Sequence, residues 1–307
     1  MENKKKPDFL ARISTVLIIL TTIIWGSSFV VMKNSVDVLP TFWLLAIRFS
    51  VSAVVLALIF IKRWKYLNRR CLIGGSVMGL FLFLAYVFQT FGVERTTAGK
   101  NAFLTAIYCV VVPFLYWAIS RIRPDRYNIL AAALCIVGIG LVSLNGDFSV
   151  NLGDVLTLIG GFFFSAHIVS VNRYAQEHDI FLLTVIQFAS AAVFSWLSVL
   201  VTRPPIPEGA FTPGLITSLA YLSLLATCGA FLFQNIGQKY MPPATAAVLL
   251  CLEAPFGVIF SIIFAEERPT PAMFLGFALI LAAVICSETK FSFLRKKTQA
   301  GKDLAKR

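Results

Sequence analysis

Few residues of this 307-residue chain are equipped for chemistry, and most of those few lie inside long apolar runs. Glu253 is the clearest case. It falls within the apolar run 244–264, where a carboxylate costs at least about 2.5–3.5 kcal/mol on insertion scales. A charge kept at that cost reads as a group for recognising a cation or carrying a proton. Arg48 lies within the run 41–61 and could pair with Glu253, hold an anionic group, or snorkel to a surface along its apolar stem, a structural role being favoured over a ligand contact. His167 is the one histidine inside a run, where an imidazole often does no more than bond a neighbouring helix. Trp25, Gln89, Tyr108 and Gln234, with Asn101 and Tyr86, supply polar and aromatic groups for a cavity, although Gln and Asn also tie helices together. The candidate contact set is therefore Trp25, Gln89, Tyr108, His167, Gln234 and Glu253, with Glu253 the candidate for ion coupling.

Pro113 and Pro255 add a second kind of signal. Proline has no N–H, so each frees the carbonyl four residues earlier, at Cys109 and Cys251. Both are read as hinges or cavity walls. Catalysis finds little support: a Ser27 or Ser28 dyad with His167 lacks an orienting acid. The chain shows no phosphate loop, no G-x-G-x-x-G and no metal-ligand spacing. The six cysteines contain no C-x-x-C pair and read as small buried hydrophobes. No cofactor, no metal and no enzymatic activity are expected.

The elements that hold these residues follow from composition. The chain is 58% hydrophobic and 14% charged, against about 25% charged in soluble domains. That much apolar surface must face lipid. Runs of about 20 apolar residues span a bilayer, and ten are found, at 13–32, 41–61, 71–91, 98–119, 127–144, 153–171, 180–201, 216–236, 244–264 and 272–287. Continuous runs exclude a β-barrel, whose strands alternate over about 10 residues. The first run is too long for a cleaved signal segment and is expected to remain as the first helix.

Charge sets the orientation. With the N-terminus inside, the cytoplasmic segments carry 21 Lys and Arg and the outer loops 5, with Arg48 left over. That bias places both termini in the cytoplasm. It also accounts for the net charge of +12 without a nucleic-acid partner.

A repeat emerges when the runs are aligned. Phe88-Gln89-Thr90-Phe91-Gly92 matches Phe233-Gln234-Asn235-Ile236-Gly237, and Cys109-Val110-Val111-Val112-Pro113-Phe114 matches Cys251-Leu252-Glu253-Ala254-Pro255-Phe256. Gln89 and Gln234 stand 145 residues apart but Pro113 and Pro255 142, so this alignment needs a three-residue indel and sets Glu253 opposite Val111. Five spans is an odd number, so the second copy must enter from the opposite face, as in many secondary transporters.

The ordered motifs resemble the EamA transporters of the drug/metabolite transporter superfamily. Trp25-Gly26-Ser27-Ser28-Phe29 with Lys33, Arg48-Phe49, Thr97-Ala98 through Thr105, Glu253-Ala254-Pro255, and Glu267-Arg268-Pro269-Thr270-Pro271 with Gly276 carry the likeness over residues 13–288. The resemblance implies an all-α membrane protein with ten transmembrane helices as two inverted five-helix EamA repeats, and a central cavity walled by helices 1, 3, 4, 6, 8 and 9. The expected division is a cytoplasmic tail (1–12), a first repeat (13–144), a second repeat (153–288) and a basic cytoplasmic tail (289–307). The expected function is secondary transport of a small-molecule substrate across the plasma (inner) membrane: export of an amino acid or similar metabolite, with the lipid bilayer as surroundings and protons as coupling ion. Transport of quaternary amines, or a non-transporting scaffold or receptor, are the alternatives.

Overall fold

Apolar runs of this length fold as helices because lipid offers no partner for a backbone N–H or C=O. The computed structural model describes residues 5–143, 151–266, 268 and 270–289. The helices among them are α1 (Lys5–Val36), α2 (Thr41–Ile59), α3 (Arg69–Val93), α4 (Ala98–Ser120), α5 (Arg126–Ser143), α6 (Leu152–Ala175), α7 (Ile180–Thr202), α8 (Pro213–Lys239), α9 (Pro243–Phe264) and α10 (Pro271–Thr289). Eight of them, all except α5 and α10, are long and apolar enough to cross a bilayer. The two others carry shorter apolar stretches, Arg126–Gly138 and Phe274–Ala283, and both border residues outside the description. No strand occurs among the described residues. Residues 1–4 of the expected N-terminal tail lie outside the description and 5–12 begin α1; the expected C-terminal tail beyond 289 lies outside it, as do Glu267 and Pro269.

Helix starts are capped by short polar side chains. The Asn68 carboxamide accepts from Cys71 N–H at 2.9 Å, the Asp179 carboxylate accepts from Leu182 N–H at 3.0 Å, and Asn151 and Asp154 form a reciprocal capping box. The outer faces are apolar: Val201 is 82% and Phe264 67% exposed. Side chains so placed are stable against acyl chains rather than water.

Three helices depart from regular geometry. The α-helical ladder is interrupted at Ala106–Ile107 in α4 and at Cys251–Leu252 in α9, where the backbone stays right-handed, dividing each helix into two pieces. Each break is a tight turn with bonds across three residues, Cys109 N–H to Ala106 O (3.1 Å) in α4 and Leu252 N–H to Leu249 O (3.1 Å) in α9. α8 widens into a π-helix over Tyr221–Gly229.

These breaks correct the repeat alignment. Tyr108 and Glu253, which begin the second pieces of α4 and α9, are 145 residues apart. Ala98 and Pro243, which begin the first pieces, keep the same step. So do Arg121 and Glu266, both left-handed just beyond the helix ends at φ 60° and 54°. The F-Q-x-x-G match therefore holds, whereas the cysteine–proline match is out of register. Glu253 corresponds to Tyr108, not Val111, and Pro113 and Pro255 are not counterparts. Pro113 lies inside the second piece of α4, and Pro255 lies in the first turn of the second piece of α9. The turns precede both prolines rather than forming at them.

Packing repeats the same symmetry. α3 packs along α6 as α1 packs along α8; α1 meets α9 as α6 meets α4; α2 with α7 and α5 with α10 are pairs of counterparts. Close crossings rest on glycine. A methyl on Gly92 of α3 would overlap Thr157 Oγ1 of α6, and one on Gly237 of α8 would meet Ile18 of α1 at 2.9 Å. A methyl on Gly26 of α1 would stand 2.9 Å from the Gly257 nitrogen of α9. These small-residue contacts bring the six inner helices together around the pseudo-symmetry axis.

Candidate functional site

The inner helices α1, α3, α4, α6, α8 and α9 line a cavity of about 20 Å³. It is narrow, and little more than a water fits between its walls. Every lining side chain is buried. Five of the six candidate contacts line it: Trp25, Gln89, Tyr108, Gln234 and Glu253. The sixth does not. His167 stands behind the wall, where its Nε2 lies 3.0 Å from Gln187 Oε1 of α7 and its ring meets Phe231 edge-on. Helix position alone placed it on an inner helix but did not give the direction it faces.

At the axis, the Tyr108 hydroxyl donates to Glu253 Oε1 at 2.9 Å. The two residues are counterparts in the repeat, each the first residue after a helix break, so the breaks bring them face to face. Gln89 and Gln234, also counterparts, face the same space. Gln89 Nε2 donates to Thr105 Oγ1 at 3.0 Å, whereas Gln234 Oε1 is buried with no hydrogen-bond partner. Asn101 does not line the cavity; its amide donates to Gln89 O and to Thr157 Oγ1, linking α3, α4 and α6.

Aromatic rings form much of the remaining wall. Trp25, Phe29, Tyr86, Tyr108 and Phe164 all contribute. Trp25 is fixed by its indole N–H, which donates to Ala226 O at 2.9 Å. That carbonyl lies in the π-helical stretch of α8, and Ser223 O in the same stretch accepts from Ser52 of α2 at 2.9 Å. The wide turn thus offers backbone acceptors to α1 and α2, in keeping with the frequent placement of π-turns at functional sites.

Arg48 neither pairs with Glu253 nor reaches a surface. It is 1% exposed, and its Nε donates to Thr227 Oγ1 at 2.6 Å and its Nη2 to the Tyr86 hydroxyl at 3.1 Å. The Thr227 hydroxyl donates to Leu222 O across the π-turn, which leaves its oxygen free to accept. The guanidinium carbon sits 4.4 Å from the Tyr86 ring centroid, and Nη1 is buried without a hydrogen-bond partner. A cation therefore stands one side chain behind the cavity wall, with Tyr86 between.

Polar contacts join the helix ends on both sides of the bundle. At one end Lys100 pairs with Asp154 at 2.8 Å and Thr41 hydrogen-bonds Glu94. At the other, Arg63 pairs with Asp179 at 2.9 Å and the Gln176 amide donates to Lys239 O at 2.9 Å.

Comparison with known proteins agrees with this architecture. The EamA-like transporter family matches residues 12–144 and again 151–289, once in each half. An uncharacterized transporter of Archaeoglobus fulgidus is 32% identical over 271 residues, 87% of this chain and 82% of that protein. A probable amino-acid metabolite efflux pump of Escherichia coli is 24% identical over 90% of this chain and 94% of its own length. A solved crystal structure with 15% identity has a TM-score of 0.73, covering 89% of this chain and 95% of that one, and so shares the fold. The chain belongs to the EamA-like transporter family, within the drug/metabolite transporter superfamily. It is a multi-pass membrane transporter.

Proposed function

We propose that this chain is a secondary transporter of the plasma membrane that exports a small amino-bearing metabolite, an amino acid or close analogue, by alternating access. In this reading all ten helices span, α5 and α10 included, the two repeats are inverted, and both termini are cytoplasmic. The observation that carries it is the Tyr108–Glu253 hydrogen bond, a carboxylate held on the symmetry axis inside an aromatic cavity. Glu253 receives the substrate ammonium, or a proton in its absence, and Tyr108 steadies the carboxylate between the two. The unpaired oxygen of Gln234 offers an acceptor. Arg48, behind Tyr86, favours a carboxylate on the far side of the substrate. Rocking of the two repeats about the breaks in α4 and α9 exposes the cavity to one side and then the other.

The cavity's five aromatic rings around one carboxylate also favour a second reading, an organic cation such as a quaternary amine. Thermal-shift measurements on the purified protein separate the possibilities. Amino acids and alkylamines should raise the melting midpoint of the wild type and leave Glu253→Gln unmoved. Stabilisation by quaternary amines alone selects the second reading. Equal stabilisation of both proteins by ligands lacking an amine would overturn both.

A further inference from the structure

Three thiols remain outside this scheme. Cys109, Cys135 and Cys251 are far apart in the chain, yet their sulfurs all lie within 4.8 Å of one another and all three side chains are fully buried. They come from α4, α5 and α9. Cys251 occupies the turn that divides α9, and the Cys109 N–H closes the turn that divides α4. All three are free thiols. Cys251 Sγ makes only weak contacts, to Ala247 O at 3.2 Å and to Ala106 O at 3.6 Å.

What such a trio takes follows from softness and charge. Sulfur selects soft centres. A zinc ion prefers four ligands, and three thiolates on zinc or copper(I) leave a net negative charge. The four ion pairs among the described residues all involve other groups, so that charge would be buried without compensation, which is strongly disfavoured. A trivalent thiophile avoids the problem. As(OH)₃ and three Cys–SH give As(S–Cys)₃ and three waters: three As–O and three S–H bonds break, and three As–S and three O–H bonds form. Arsenic stays trivalent, and the site stays neutral. Three sulfurs bonded at about 2.3 Å to one centre lie no more than about 4.0 Å apart, the planar limit, so a trio spread over as much as 4.8 Å must draw together on binding.

We propose that the Cys109–Cys135–Cys251 cluster is a binding site for a trivalent thiophile, of which arsenite is the simplest, and that its occupation staples the broken helices α4 and α9 to α5. Binding stands on the cluster geometry alone. Its consequence, arrest of transport, rests on the alternating-access reading above.

Arsenite added to the purified full-length protein tests the site. X-ray absorption and elemental analysis should find one arsenic per chain bound to three sulfurs. Cys135→Ser should weaken binding by about tenfold or more, because the third tethered thiol is lost, while Cys71→Ser binds as the wild type does. Oxygen-only coordination, no uptake, or unchanged binding in Cys135→Ser with a monodisperse folded protein would overturn the site. In proteoliposomes arsenite should then slow exchange by the wild type and spare Cys135→Ser. Three-sulfur binding with undiminished exchange would leave the site standing and contradict the alternating-access reading instead.

Discussion

Tyr108→Phe keeps the ring in the cavity wall and removes only the hydroxyl that donates to Glu253 at 2.9 Å. A buried carboxylate deprived of a partner costs about 1–3 kcal/mol, so the melting midpoint of the purified protein should fall; no change would mean the bond contributes nothing in solution. Gln234 and His167 make a contrasting pair. Gln234→Leu removes a cavity acceptor without emptying its volume, and the substrate KM should rise by up to about tenfold, the worth of one hydrogen bond. His167→Gln acts behind the wall, at the bond to Gln187 of α7, and should lower stability while leaving KM unchanged. Transport kinetics that reversed this order would place the substrate against α7 instead. Five of the six candidate residues line the cavity; they could be singled out in the sequence because polar groups are scarce in apolar runs and each needs a reason. His167 makes the bond to a neighbouring helix that a lone imidazole often makes; which way it faces was not legible, because rotation about a helix axis is set by packing. The cysteine cluster was beyond reach for a related cause: its three sulfurs meet across three helices, and no spacing along the chain records that.

At the scale of the element, the crossing of α3 and α6 is the tightest constraint. Gly92→Ala drives a methyl into Thr157 Oγ1 and within 3.0 Å of Gly153 O, where a backbone cannot yield as a side-chain tip does. Overpacking of this kind costs about 1–3 kcal/mol. Gly140→Ala in α5 meets nothing within 4 Å and should be neutral or slightly stabilising through helix propensity. Equal melting midpoints for the two variants would contradict the packing described. Most helices were legible from hydropathy, because lipid imposes both their length and their apolar character. The breaks were legible only as to which helices carry them. Proline pointed to α4 and α9, but the turns fall at Ala106–Ile107 and Cys251–Leu252, and a short identity between the halves set the repeat out of register. Arg123-Pro124 and Arg268-Pro269 keep the same step as Gln89 and Gln234, and were the sequence signal that could have corrected it. The π-helical stretch of α8 left no trace, since its apolar residues read equally well as ordinary helix.

For the whole molecule, the pairing of each helix with its counterpart's partner makes the cavity a product of the repeat itself. Trp25 and Phe164, Gln89 and Gln234, and Tyr108 and Glu253 approach one space from the two halves. The last pair sets a carboxyl opposite a phenol, which equips a vestibule built from two like halves to hold an asymmetric cargo. The charge bias of 21 to 5 belongs to this scale as well. Reporters fused to either end should both be active in the cytoplasm; an N-terminal reporter on the outer side would invert the proposed topology. The central claim, that Glu253 couples cargo movement to protons, is tested most directly in proteoliposomes under an imposed pH gradient. Vesicles loaded with a mixture of amino acids and alkylamines are followed by mass spectrometry of the released contents. The wild type should release at least one component in a gradient-dependent manner, and Glu253→Gln, correctly folded and inserted, should lose that dependence. Gradient-driven release by Glu253→Gln at the wild-type rate would contradict the account.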